Sequence, residues 1–121
     1  MIPAFCFFAA LGNPLAITVF MILVIVRMDV LSEKRKELSQ TIASLIGSVR
    51  MEKGCLRCNF CQNIEDVNEL YLLEEWDTQE NLIGHQKSER FRILLGAMNL
   101  LKRPYEMMVH TISHPEGIKG I

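Results

Sequence analysis

From Met21 to Val30 the chain alternates: Ile22, Val24, Val26, Met28 and Val30 form one apolar face, while Met21, Leu23 and Ile25 share the other with Arg27 and Asp29. A period of two predicts a strand, and apolar character on both sides predicts a central strand covered on both faces. Beyond it the period becomes helical. Leu38, Ile42, Leu45, Ile46 and Val49 fall on one side, and Lys34, Glu37 and Gln40 on the other. Ser32 is the expected N-cap, with Glu33 in the first turn where the helix dipole favours an acid. Gly54 ends the connection. Residues 55–62 and 69–76 read as two strands joined by the polar turn 63–68, which predicts a hairpin. Asp77 or Thr78 caps the next helix, with Glu80 three residues after Asp77. Leu82, Ile83 and Gln86 lie on its first piece. Ser88 restarts or kinks it, and Phe91, Leu94, Leu95 and Met98 continue an apolar stripe. Pro104 is expected to stop the helix, and 105–112 to form the last strand.

The predicted order is β-α-β-β-α-β, an α+β, ferredoxin-like arrangement with an antiparallel sheet. Two helices cover one face of such a sheet and leave the other bare. Leu23, Ile25, Leu73 and Val109 are candidates for that bare face. An exposed apolar sheet is unfavourable in water, at about 25 cal/mol per Å². A homodimer packed sheet against sheet is the simplest remedy.

The 121 residues fit one domain, expected over 21–112, followed by a loose tail, 113–121, with Pro115, Gly117 and Gly120. The first 26 residues contain no charged side chain. Two readings of residues 1–20 compete: an extension outside the domain, and a membrane or partner anchor. Pro3 and Gly12-Asn13-Pro14 interrupt a helix there, and no basic segment precedes the apolar run, which favours the extension. Met21 is then the expected functional start.

The formal net charge is −1, and the run Glu33-Lys34-Arg35-Lys36-Glu37 is internally balanced. No basic surface for nucleic acid or an anionic membrane is indicated. Three of the four cysteines, Cys55, Cys58 and Cys61, fall within seven residues, a spacing unlike a disulfide framework and consistent with a reducing cytoplasm. Their spacing looks like a metal motif. On a regular strand, however, Cys55 and Cys61 share a face about 20 Å apart while Cys58 points away, so they do not converge on one metal. A thiol or metal protein using these three residues is retained as a rival.

The stretch Glu69-Leu70-Tyr71-Leu72-Leu73-Glu74-Glu75-Trp76, followed by Leu82 and His85 and then by Ser88 and Phe91, resembles the antibiotic biosynthesis monooxygenase family of dimeric α+β barrels. Gly54-Cys55-Leu56-Arg57 and the ending from Pro104 to Val109 are similar as well. The resemblance covers about 21–112. It implies a dimeric barrel and, among several activities, oxidation of quinols or phenols by O₂ without metal or flavin. Two departures stand out. The strand-one asparagine of the haem-degrading branch is absent from Val24-Ile25-Val26-Arg27. Arg90 stands where several quinol-oxidising relatives carry a second histidine before the phenylalanine.

His85 is the leading candidate for a catalytic base, because imidazole exchanges protons near neutrality; its rival role is a buried histidine bonded to backbone. Glu74 shares a strand face with Trp76 and, if buried, needs a partner such as Arg27, Arg57 or His85. Trp76 offers a stacking wall or a core anchor, and Phe91 and Met98 line a cleft or belong to the core. Arg90 and Arg27 are candidates for an anionic substrate group. With these residues, the resemblance implies a cytoplasmic, homodimeric, cofactor-free monooxygenase acting on a small aromatic quinol or phenol. Catalysis is assigned to His85 and Glu74, and substrate binding to Trp76, Phe91, Arg90 and Arg27. The rival is a non-catalytic module that binds a small apolar molecule.

Overall fold

The computed structural model describes Phe20–Ser113; of the expected extension over residues 1–20 only Phe20 is described, and the tail beyond Ser113 lies outside the described residues. Strand β1 spans Phe20–Asp29, helix α1 Arg35–Arg50, β2 Cys55–Asn63, β3 Asp66–Trp76, α2 Gln79–Gln86, α3 Glu89–Ala97 and β4 Glu106–Ser113. Short 3₁₀ turns occupy Ser32–Lys34 and Met98–Leu100. The four strands form one antiparallel sheet in the order β2-β3-β1-β4. This is the expected ferredoxin-like topology, with the second helix divided at Ser88. Among the described residues no helix is long and apolar enough to cross a membrane.

The helices cover the sheet face formed by Ile22, Val24, Val26 and Met28 of β1 with Leu70, Leu72, Glu74 and Trp76 of β3. Leu38, Ile42, Ile46 and Val49 of α1 pack onto it, and Leu82 of α2 and Leu94 of α3 complete the core. Each such side chain contributes about 1.5–3 kcal/mol on burial. Strand β1 is central, as its two-sided pattern predicted. Its second face, with Met21, Leu23 and Ile25, is only half-buried. The register pairs Ile25 with Leu73 and Met108, and Val24 with Val109. Val109 therefore lies on the helix side of β4, and Met108 takes the outer place expected for it.

Several boundaries differ from the pattern, for local reasons. The hairpin turn is only Ile64–Glu65, because Asn63 Oδ1 accepts the Glu65 N–H (2.8 Å) and Asp66 Oδ1 accepts the Asn68 N–H (3.1 Å). Those side chains satisfy backbone groups that a longer loop would leave to water. Ser32 is not a helix cap: its hydroxyl accepts from Asn68 Nδ2 (3.2 Å), and the α-helix starts only at Arg35. Thr78 caps α2 by accepting the Asn81 N–H (3.1 Å), and Ser88 caps α3 by accepting the Phe91 N–H (3.2 Å). Helix α3 ends at Ala97, well before Pro104, because Leu101 leaves to pair with Val30.

Gly54 holds the α1–β2 connection. Its φ of +85° belongs to the left-handed region. A Cβ there would lie 2.4 Å from both Asn81 Nδ2 and Asp77 Oδ1, the pair that starts α2. Its carbonyl accepts the Asp77 N–H at 2.9 Å. We expect Gly54→Ala to lower stability by about 2–4 kcal/mol, from left-handed backbone strain plus the steric conflict. A urea midpoint equal to the parent's would show that this packing does not constrain the turn.

Candidate active site

Beyond α1 the chain turns tightly. The Glu52 N–H donates to Val49 O (3.0 Å), and the Glu52 carbonyl accepts the Cys55 N–H (3.1 Å). With both backbone groups fixed, the Glu52 carboxylate points inward and is only 8% exposed. From α2, His85 lies one turn beyond Leu82, so both face the core; His85 is 3% exposed. The His85 Nδ1 is 2.8 Å from Glu52 Oε1. Arg90, on α3, donates from Nε to the other oxygen of the same carboxylate. Since a carboxylate only accepts, Nδ1 carries the proton in the neutral ring and Nε2 the lone pair.

Strand β3 supplies the other side. Trp76 and Glu74 are two apart, hence on one face, and the indole N–H donates to Glu74 Oε1 at 2.9 Å. The fully buried indole stacks on the imidazole, with ring centroids 4.8 Å apart and planes at 28°; Phe91 meets the same ring edge-on at 5.3 Å. His85 Nε2 lies 3.9 Å from Glu74 Oε1 and has no hydrogen-bond partner among the described residues. Burial holds the Glu74 carboxyl above the ordinary carboxylate range; the indole bond and His85 oppose this, and Glu52 adds to it.

Two spaces adjoin the imidazole. Between α1, α3 and the sheet lies a crevice of about 20 Å³, lined by Ile46, Val49, Leu72, Glu74, His85 and Leu94, among others. It is the size of a water molecule and too narrow for an aromatic ring. On the outer side lies a polar cleft of about 320 Å³, lined by Glu52, Lys53, Asn81, Gly84, His85, Ser88 and Arg90. His85 and Arg90 border both.

The structure thus brings His85, Glu74, Trp76, Phe91 and Arg90 together, and adds Glu52, which no periodicity or motif marked. The available signal was indirect: a buried histidine needs a partner, and Gly54 makes the loop before it tight. Three placements differ from the sequence reading. Trp76 packs on the imidazole and leaves no face for a substrate. Glu52, and not Glu74, makes the short bond to His85. Arg27 is not in this cluster. It lies on the opposite sheet face, where its guanidinium pairs with Glu69 and Glu106. Asn63 and Arg27 hold the Glu69 carboxyl below the ordinary range. Arg57 is on that face too, 3.4 Å from Glu75.

The cysteines are arranged differently from the regular-strand expectation. An irregularity in the β2–β3 register between Cys55 and Arg57 sets Cys55 opposite Trp76 and Cys58 opposite Glu74, so these two share the helix side. Cys61, opposite Tyr71, takes the other. Burial pushes the Cys58 thiol up to about 12, with the Glu74 charge adding to it, which disfavours the thiolate a metal or disulfide exchange needs. Among the described residues no group of three or more His, Cys, Asp or Glu side chains is placed to hold a metal ion.

Residues 21–93 match the model of the antibiotic biosynthesis monooxygenase family. Curated proteins give no match. Among solved structures, a conserved protein from Methanosarcina mazei Go1 is 27% identical, with a TM-score of 0.73 over 76% of this chain and 92% of that one. A protein from Mycobacterium tuberculosis is 23% identical, with a TM-score of 0.71 over 83% and 99% of the two chains. A structure described as an antibiotic biosynthesis monooxygenase is 20% identical, with a TM-score of 0.69 over 74% and 95%. The chain belongs to the antibiotic biosynthesis monooxygenase family, and a monooxygenase-type function is the one this membership supports.

Proposed function

We propose that the protein is a cofactor-free monooxygenase that oxidises a small phenol or quinol with O₂, working as a homodimer. The observation that carries this reading is His85, an imidazole with Nδ1 fixed by a carboxylate and a buried Nε2 that has no hydrogen-bond partner among the described residues, on a side chain that borders both a crevice and an outer cleft. A purely structural histidine would have both nitrogens engaged.

The outer cleft has the volume of a small-molecule site, and its lining, polar side chains over a larger share of carbon surface, suits a hydroxylated ring. Lys53 and Arg90 offer positive charge to a phenolate oxygen there. Glu52 faces the same cleft and is bonded to His85, so the two act as a unit: the phenolic proton passes to the Glu52 carboxylate, which the His85 Nδ1–H and the Arg90 guanidinium hold in place. Proton uptake at Glu52 leaves the His85 Nδ1–H bonded to that carboxyl, and Trp76 and Phe91 fix the plane of the imidazole. The electron-rich phenolate then reduces O₂. The reaction balances: a ring C–H and the phenolic O–H are lost, a quinone with one new C=O forms, and the second oxygen atom leaves as water.

The dimer reading is supported by the bare sheet face, where Leu23, Ile25, Leu73 and Met108 form an apolar patch beside the Arg27–Glu69–Glu106 ion pairs. We expect Leu73→Arg to convert a dimer into a monomer of unchanged secondary structure, read by sedimentation. A parent protein that sediments as a monomer at micromolar concentration would remove the dimer from this reading.

For the chemistry, O₂ uptake with a panel of quinols separates the alternatives. His85→Ala is expected to lose about 100-fold or more, in line with the loss of a general base, and Glu52→Gln to lose at least about tenfold. The double variant should lose no more than His85→Ala alone, because the two groups act as a unit. Uptake by His85→Ala at the parent rate ends the assignment, and binding of quinols without any uptake favours the non-catalytic module.

Glu74 gives a prediction that needs no substrate. A carboxyl whose folded-state value is raised holds its proton more tightly when folded. Stability is then greatest below the unfolded value, about 4.3, and falls as pH rises through the folded one. Glu74→Gln keeps an oxygen for the Trp76 N–H and removes this loss. Urea unfolding from pH 4 to 8 should show the variant gaining on the parent as pH rises; parallel curves would mean that Glu74 is not destabilised by ionising in the fold.

A further inference from the structure

We infer that the crevice between α1, α3 and the sheet is a binding site for molecular oxygen, separate from the cleft that takes the aromatic ring. This rests on the oxygen-consuming reading above and adds to it the place where the gas is held. The crevice, about 20 Å³, accepts one small molecule. Its walls are chiefly Ile42, Leu45, Ile46, Val49, Leu72 and Leu94, with Glu74, His85 and Arg90 the ionisable residues among its lining. A water molecule needs two to four polar partners to be held in a protein interior, and small apolar cavities stay dry. Glu74 Oε1 accepts from the indole, Arg90 Nε donates to Glu52, and among the described residues His85 Nε2 is the one buried side-chain nitrogen or oxygen without a hydrogen-bond partner, fewer than a water needs. Dioxygen is apolar and needs no hydrogen bonds, so these walls favour it over water. His85, which lines the crevice, has its buried Nε2 without a hydrogen-bond partner among the described residues. An oxygen molecule lodged there is beside the imidazole, while the ring it oxidises is reached from the other side of the same residue.

The site is tested by O₂ itself, independently of turnover. Methyl groups of the isotope-labelled full chain are compared by NMR in buffer equilibrated with O₂ and with N₂. The methyls of Ile46, Val49, Leu72 and Leu94 should relax several-fold faster under O₂ than those of Val24, Val30 and Leu70, which are equally or more deeply buried but away from the crevice. Leu94→Phe should abolish the difference and raise the KM for O₂ several-fold while leaving the KM for quinol unchanged. The milder Val49→Leu should do so in part, which covers the case in which Leu94→Phe fails to fold. Equal relaxation of both sets of methyls overturns the site, as does a quinol that suppresses the oxygen effect by occupying the crevice. Selective relaxation together with no O₂ uptake on any quinol leaves the gas site standing and instead ends the oxygenase reading.

Discussion

Glu52, His85 and Glu74 lie side by side in an interior that otherwise holds aliphatic and aromatic groups, and the arrangement of this end of the molecule follows from how their polar atoms are matched. An isolated buried carboxylate costs several kcal/mol, so each requires a donor. Glu52 has two, the imidazole and the Arg90 guanidinium, and Glu74 has the indole N–H. The Glu52 bonds join the loop after α1 to α2 and α3, while the indole bond stays within β3 and Trp76 meets the imidazole by stacking. Helix α2 buries only Leu82 and His85. Its position is therefore set less by apolar area than by the His85 contacts and by the Gly54–Asp77–Asn81 contact at its start.

The backbone makes this matching possible at two points. Gly54 adopts a conformation that L side chains avoid, which lets the chain reverse within a few residues of α1 and leaves Glu52 pointing inward. The irregular register near Cys55 then turns the start of β2, so that Cys55 and Cys58 both face the helices beside Trp76 and Glu74. These sulfurs serve as small apolar groups near the imidazole. The high proton affinity of Cys58 is a consequence of the same low-dielectric surroundings that raise Glu74.

Much of this was legible along the chain. Strict alternation from Ile22 to Val30 and helical spacing from Leu38 to Val49 arise from local geometry and long apolar runs, and the structure keeps both. His85, Trp76 and Glu74 could be nominated because strand and helix periods place them toward the cleft. What could not be read were contacts between elements. Glu52 meets His85 across 33 residues, and nothing in its neighbourhood distinguishes it from a solvated loop acid. Arg27 was a plausible partner for Glu74 on composition alone. Its parity along β1 sends it to the other sheet face, where it meets Glu69 and Glu106. The cysteine assignment failed for the complementary reason: one register irregularity inverts facing for every residue before it, and such irregularities leave no periodic trace.

The departure at Arg90 bears directly on how the imidazole can work. An arginine carries a permanent charge and a planar array of donors, whereas a histidine there would titrate and offer at most two. In this chain the guanidinium takes one oxygen of Glu52 and leaves the other for His85 Nδ1. The carboxylate therefore cannot swing to the far nitrogen without giving up a charged partner. That constraint sets the tautomer and keeps the Nε2 lone pair on the crevice side. Because Arg90 also borders the outer cleft, in the proposed reaction an anionic substrate oxygen arriving there would compete for the same guanidinium that holds Glu52. Substrate charge and imidazole orientation are thereby coupled through a single side chain, a link that a second histidine at this position would make dependent on pH.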